Sequence, residues 1–334
     1  MSRRVVVLGA AGYLGRHVTQ AARLQGHQVT AITRSMPAAR NDASLSVCDA
    51  ADRSALFHIA AGADCVVNAI RADPDTMVLV TSHLRGLLHR DAVGQLLHVS
   101  SLAVYGQTSG VVHEGIVPVP LWGDRHAQAL LQAEMLIAQD DRLGARVVVF
   151  RPGCIYGPGA PVWVDGILRL LRARRLGWLG RSGDGACLLI HVQDLARAIT
   201  QTMGHGVSGT YHVVAPDLLS WNDYFFRMAA LIGALPLRRI GVAGLAAETW
   251  LGAARQSLAG RRGTEMMDAV TPAMARVFRN RARIVSVRAP LLEASTFRSL
   301  RDGSAEAAEA FLRHDTQRES VRRRPALATS QAAS

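Results

Sequence analysis

Three glycines in the run Gly9-Ala-Ala-Gly12-Tyr-Leu-Gly15 stand at a spacing suited to phosphate chemistry. Glycine there permits a tight turn, lets backbone N–H groups approach a pyrophosphate at a helix N-terminus, and allows the helix to pack closely on the preceding strand. Gly9, Gly12, Tyr13, Leu14 and Gly15 are therefore candidate dinucleotide-binding residues, with a merely structural turn as the alternative. The second strand ends in Thr33-Arg34-Ser35 without an acid that could accept hydrogen bonds from ribose hydroxyls. Arg34 suits a 2′-phosphate, which favours NADP(H) over NAD, although it is also one arginine among many. Asp49 is placed either to touch the adenine edge or to cap the helix that follows.

Other chemistries are excluded by what is missing. All 38 basic residues are arginine, against 26 acids and a net charge of +12, so no lysine exists for a Schiff base, a P-loop or a Tyr-Lys pair. Cys48, Cys65, Cys154 and Cys187 show no paired spacing, so neither a metal site nor a disulfide framework is indicated and a reduced cytoplasmic setting is expected.

These residues need a scaffold, and the chain supplies one in short apolar runs: Val5 to Leu8, Val29 to Thr33, Leu45 to Cys48, Cys65 to Asn68, Leu96 to Ser100 and Val147 to Phe150. Continuous β-branched strands alternating with helical stretches predict a parallel sheet covered on both faces, a doubly wound α/β domain of the Rossmann type. The Val5 to Leu14 run is read as its first strand and turn, not as a signal peptide, and no run is long enough to span a membrane. Beyond Pro152 the alternation weakens, with Leu188 to Val192 and Tyr211 to Val214 as further strands. The expected division is a nucleotide-binding domain over 1–165 and a smaller, mainly helical substrate lobe over 166–315 that returns segments to the first domain. A disordered tail is expected over 316–334.

Four blocks in this order, Val7 to Gly15, His98-Val-Ser-Ser-Leu-Ala-Val-Tyr-Gly106, Arg151-Pro-Gly-Cys-Ile-Tyr-Gly-Pro-Gly159 and His191-Val-Gln-Asp-Leu-Ala-Arg-Ala-Ile199, resemble the extended short-chain dehydrogenases/reductases. The closest likeness is to their NAD-dependent epimerase/dehydratase branch, over about residues 5 to 235. The resemblance implies an NAD(P)-dependent oxidoreductase or epimerase acting on a hydroxyl or carbonyl of a small molecule, of nucleotide-sugar or secondary-metabolite type. It further implies that Ser101 holds the reacting oxygen, that Asn68, Arg151 and Pro152 adjoin the cofactor, and that relatives often pair as homodimers. His191 to Asp194 begins a helix near the junction of the two lobes, read either as part of the site or as purely structural.

The pattern fails at the family's Tyr and Lys, four residues apart on one helix. Here that helix reads Trp122-Gly-Asp-Arg-His-Ala-Gln-Ala-Leu-Leu-Gln-Ala-Glu134. One register puts His126 and Leu130 at the pair, the other Trp122 and His126; the spacing from Tyr105-Gly106 favours the first. His126 is then the candidate acid and base, with Tyr105 and Tyr156 as substitutes. The opposing expectation is an idle site in an NADP(H)-binding sensor or scaffold. Arg169, Arg172, Arg174, Arg175 and Arg181 are expected either to meet an anionic substrate group or to form a solvated face, and a second run extends from Arg276 to Arg288. No nucleic-acid motif accompanies them.

Overall fold

The computed structural model describes residues 2–35, 45–138, 143–217, 219–258, 269–286, 288, 291, 293 and 296–330. The chain runs β1 (Arg4–Leu8), α1 (Tyr13–Leu24), β2 (Gln28–Thr33), β3 (Leu45–Val47), α2 (Arg53–Ala60), β4 (Ala63–Asn68), α3 (Pro74–His89) and β5 (Val93–Val99). It continues through β6 (Gly110–Val112), α4 (Arg125–Ala138), β7 (Val147–Pro152), β8 (Cys154–Tyr156), α5 (Ile167–Arg172), β9 (Leu189–His191), α6 (Val192–Gln201) and β10 (Gly209–Val213). Last come α7 (Trp221–Leu231), α8 (Val242–Leu258), α9 (Pro272–Arg279), β11 (Ala282–Ile284) and α10 (Leu300–Ser330).

Seven strands form one sheet in the order β10-β7-β5-β4-β1-β2-β3, and every neighbouring pair is parallel. The order reverses beside β1, the arrangement of a doubly wound sheet, which is the expected fold class. The strands alternate faces, so β1 sends Val5 and Val7 into one core and Val6 and Leu8 into the other. The first core holds Leu14, Val18 and Ala22 of α1 with Leu195, Ala198 and Ile199 of α6; the second holds Leu56 of α2, Val80, Leu84 and Leu87 of α3, and Ile137 of α4. Burial of each such side chain stabilises by about 1.5–3 kcal/mol, so strands with no polar face belong inside.

By backbone packing the chain forms two units: residues 1–155, 188–216 and 281–297, and residues 156–187, 217–280 and 298–334. The second unit thus begins at Tyr156, ten residues before the expected boundary. The strand expected at Tyr211 to Val214 is β10, and it pairs with β7 at the edge of the main sheet, in the first unit. The second unit is helical around Trp221, whose ring meets Trp163, Tyr224, Phe225 and Phe278 at centroid distances of 5.0–5.9 Å. α10 continues to Ser330, so the stretch expected to be disordered from 316 is helical in backbone; Gln, Arg, Glu and Ala favour helix even where they bury little. Residues 331–334 lie outside the described residues.

Candidate active site

The glycine turn is shaped by contact as well as by conformation. Gly9 sits at φ +76°, and a Cβ there would meet the Ala69 carbonyl oxygen at 2.7 Å; a Cβ on Gly15 would meet the Gly9 oxygen at 2.1 Å. The first glycine therefore lets β1 turn beneath the end of β4, and the third lets α1 lie on that turn. Gly12 is the N-cap of α1, but no side chain caps the helix and no acid stands in its first turn. Its leading amides form the electropositive end of a helix that most chains would close with Ser or Asp. Its geometry and polarity suit a pyrophosphate, and the residues present fit a nicotinamide dinucleotide. Arg34 follows the end of β2, exposed, with no hydrogen-bond partner for its guanidinium among the described residues. Asp49 is exposed and its carboxylate accepts from the Ala51 N–H at 3.0 Å; the cap of α2 is Asp52, so the capping alternative for Asp49 does not hold.

A row of polar side chains crosses the carboxyl ends of four adjacent strands. Asn68 on β4 and His98 on β5 are register partners, and Asn68 Nδ2 lies 3.1 Å from His98 Nδ1 while its Oδ1 accepts from the Ile70 N–H at 3.3 Å. Both are buried, so Asn68 braces the strand ends with both halves of its amide. Burial pushes the His98 pKa down to about 4, which makes it a neutral imidazole.

Next in the row, Arg151 on β7 is only 5% exposed and Glu134 on α4 only 3%. Arg151 Nε donates to both Glu134 oxygens at 3.1 Å and Nη2 to Oε2 at 2.5 Å; Ser100 Oγ donates to Oε1 of the same carboxylate. Arg151 Nη1 also donates to Tyr105 Oη at 2.5 Å, which is hydrogen-bonded to His212 Nε2 on β10 at 2.8 Å. Burial alone would disfavour the Arg151 charge, but Glu134 and Tyr105 outweigh it and raise the pKa. The Tyr105 phenol is pushed up by burial, with Glu134 and Glu114 adding to the rise and Arg151 opposing it. A tyrosine harder to ionise than usual and enclosed by Arg151 and His212 is poorly suited to proton transfer. Arg151, expected beside the cofactor, locks β7 to α4 through Glu134.

Ser101 is half-buried and its Oγ accepts from the Ala103 N–H at 3.1 Å, capping the short 3-10 turn Leu102–Tyr105. His126 lies half-buried in the first turn of α4, which Asp124 caps through the Ala127 N–H at 3.1 Å. Its pKa is lowered by burial and by the Arg71 charge, partly offset by Asp124. Leu130, one turn on, is buried with Met77, Val104 and Tyr105, so the site that a lysine would occupy in the favoured register is apolar core. Trp122 of the other register is 99% exposed. Arg71 is an unexpected addition. It stands three residues after β4, is exposed, is close enough to His126 for its charge to act on it, and among the described residues no group pairs with its guanidinium.

Pro152 is buried at the end of β7. In the second unit Tyr156 is fully buried, which removes it from ready proton exchange with solvent. Of the arginines expected to meet an anion there, Arg172 pairs with Asp315 and Arg175 with Glu248 at 2.7 Å. His191 caps α6, its Nδ1 accepting from the Gln193 N–H at 3.3 Å, as a structural role requires.

Ser100, Glu134, His98, His212 and Arg71 were not among the expected site residues. Parity carried the signal for two of them: His98 on β5 and Ser100 just past its end alternate with Leu97 and Val99. Polar residues breaking an apolar strand at its end had to find partners on the covering helix.

The model of the family described as "NAD dependent epimerase/dehydratase family" matches residues 5–215. The chain is 29% identical over 264 residues to the 3-diazoavenalumate denitrifying reductase of a Streptomyces species, covering 72% of this chain and 85% of that protein. It is 28% identical over 262 residues to the dTDP-4-dehydrorhamnose reductase of Mycolicibacterium smegmatis, covering 71% and 72%. Among solved structures, the human epimerase family protein SDR39U1 with NADPH superposes with a TM-score of 0.67 at 19% identity, over 92% of this chain and 99% of that one.

Proposed function

The chain belongs to the NAD dependent epimerase/dehydratase family, and from that premise we propose that it is a nicotinamide-dependent reductase of a small anionic molecule, with His126 in place of the usual tyrosine. The observation that carries this reading is the pairing of an uncapped α1 N-terminus with a half-buried imidazole at the start of α4, in one structural unit. Gly9, Gly12, Tyr13, Leu14 and Gly15 would hold the pyrophosphate, and Arg34 the 2′-phosphate that selects NADP(H). The bound cofactor would supply hydride chemistry. Ser101 can turn its hydroxyl toward a substrate oxygen, and His126 can exchange a proton with it. The unpaired Arg71 guanidinium, close enough to depress the His126 pKa, would receive a carboxylate or phosphate of the substrate.

A second reading rests on Leu130. Its burial leaves no ammonium beside the proton-transfer position, so chemistry that creates an alkoxide has weak support. An aryl diazonium group that accepts hydride at its ring carbon and loses dinitrogen (ArN2+ + H− → ArH + N2) needs no such acid, and the Streptomyces relative is named as a denitrifying reductase of a diazo compound.

One experiment tests both. Purified protein is titrated with NADPH and NADH, then assayed against aryl carboxylates bearing a carbonyl or a diazo group, in wild type and His126→Ala. NADPH binding with carbonyl turnover lost in His126→Ala supports the first reading; turnover of the diazo compound that survives His126→Ala supports the second. Binding without turnover of either leaves a cofactor-binding scaffold.

A further inference from the structure

The helix α8 wears its sequence inside out. Its inward side carries Leu245, 1% exposed, Gly252 against the Val270 carbonyl, and its one ionisable residue through Ala254, Glu248, which is turned to Arg175 at 2.7 Å. Its outward half presents Val242 (67% exposed), Ala243, Ala246, Ala247, Trp250 (70%) and Leu251 (40%). At 100° per residue these six fall on one semicircle, with no ionisable side chain among them. A solvent-facing helix in a globular protein normally does the reverse.

The sequence on either side of this face is basic. Arg238 and Arg239, both exposed, immediately precede the helix, and Trp178, 41% exposed, bridges to Arg239 through the backbone. Arg255, Arg261 and Arg262 follow in the sequence, so residues 235–263 contain five arginines and one acid, the inward Glu248. The general arginine richness of the chain explains basic residues; it does not explain an outward apolar half-helix next to the exposed Arg238 and Arg239.

We propose that α8 is an interfacial helix that seats this protein on an anionic phospholipid surface. Val242, Trp250 and Leu251 would enter the boundary between headgroups and acyl chains while the flanking arginines meet lipid phosphates, the pattern of helices that lie in a membrane plane. No helix among the described residues is long and apolar enough to cross a membrane, so the attachment is peripheral. Size argues against a second copy as occupant: seventeen residues make a helix about 25 Å long, and a strip about 10 Å wide offers about 250 Å², against about 800 Å² per partner in a stable interface. The proposal is independent of the nicotinamide reading, since no residue is shared.

The test is flotation of the full chain with vesicles of phosphatidylcholine alone and of an equimolar mixture with phosphatidylglycerol. Flotation is expected with the mixture only, weakened at least about tenfold by Trp250→Glu and about fivefold by Arg239→Ser, and reduced by added salt. Both positions are exposed, and an unchanged melting temperature verifies that each variant is folded. No flotation with either vesicle, or equal flotation with both, overturns the proposal. A dimer in light scattering that Trp250→Glu dissolves, without flotation of the wild type, assigns the face to a second copy and overturns it equally.

Discussion

At the scale of single residues, the site turns on what surrounds an imidazole. His126 is held neutral near pH 7 because burial, the Arg71 charge and the positive end of α4 all disfavour imidazolium, and Asp124 compensates only in part. A lowered pKa moves the supply of the proton-donating form to acid: reduction of a carbonyl should accelerate as pH falls below 6.5, and levels only beneath the shifted pKa. The pH dependence of kcat/KM in the reductive direction measures this, and Arg71→Gln should move the break upward while raising KM for an anionic substrate. His126→Ala should lower kcat by about 10²–10⁴-fold with NADPH affinity unchanged. Arg34→Ser should weaken NADPH binding by about tenfold or more and leave NADH nearly unaffected, read by fluorescence titration.

At the scale of elements, the decisive object is the bridge between β7 and α4. Glu134 receives Arg151 through two nitrogens and Ser100 through a hydroxyl, all within the protein interior. Removing one member leaves an uncompensated buried charge, so Glu134→Leu should destabilise by about 3–5 kcal/mol, seen as a shifted urea midpoint. The double variant Glu134→Leu with Arg151→Met should recover much of that loss, because the pair's attraction mainly offsets its own desolvation. The same bridge fixes the direction of α4 at its middle, so Glu134→Gln, if folded, should reduce turnover more than NADPH affinity by loosening His126. A residue with only a structural role would not divide the two.

At the scale of the whole molecule, the sheet carries a built-in sensitivity to acid. His98 has a folded pKa of about 4 against an ordinary 6.5, so between those values the unfolded chain binds more protons. Stability is therefore full above pH 6.5 and declines as pH falls toward 4, by about 3 kcal/mol from this residue alone. His17 and His212, also lowered to about 4, act in the same direction. Urea midpoints at pH 7 and near pH 4 should show the decline, with a smaller difference in His98→Gln. The two structural units need not respond together, since His17, His98 and His212 all belong to the first.

The amino-acid sequence by itself determined the doubly wound sheet, because β-branched runs without a polar face can be stable only when covered on both sides. It also determined a tight turn between β1 and α1, because glycine recurs at Gly9, Gly12 and Gly15 directly after an apolar strand. The absence of lysine likewise settled that no Tyr-Lys pair exists. Only the tertiary structure decided what Arg151, Tyr105 and Asn68 touch: each is polar, and whether a polar side chain at a strand end faces a ligand or a covering helix depends on a partner distant in sequence. Glu134 lies 17 residues before Arg151, and His212 lies 107 residues after Tyr105. The outward face of α8 was hidden for the same reason. An apolar helix reads identically whether its apolar side is buried or bare, and the difference lies in Glu248 finding Arg175 on the inside.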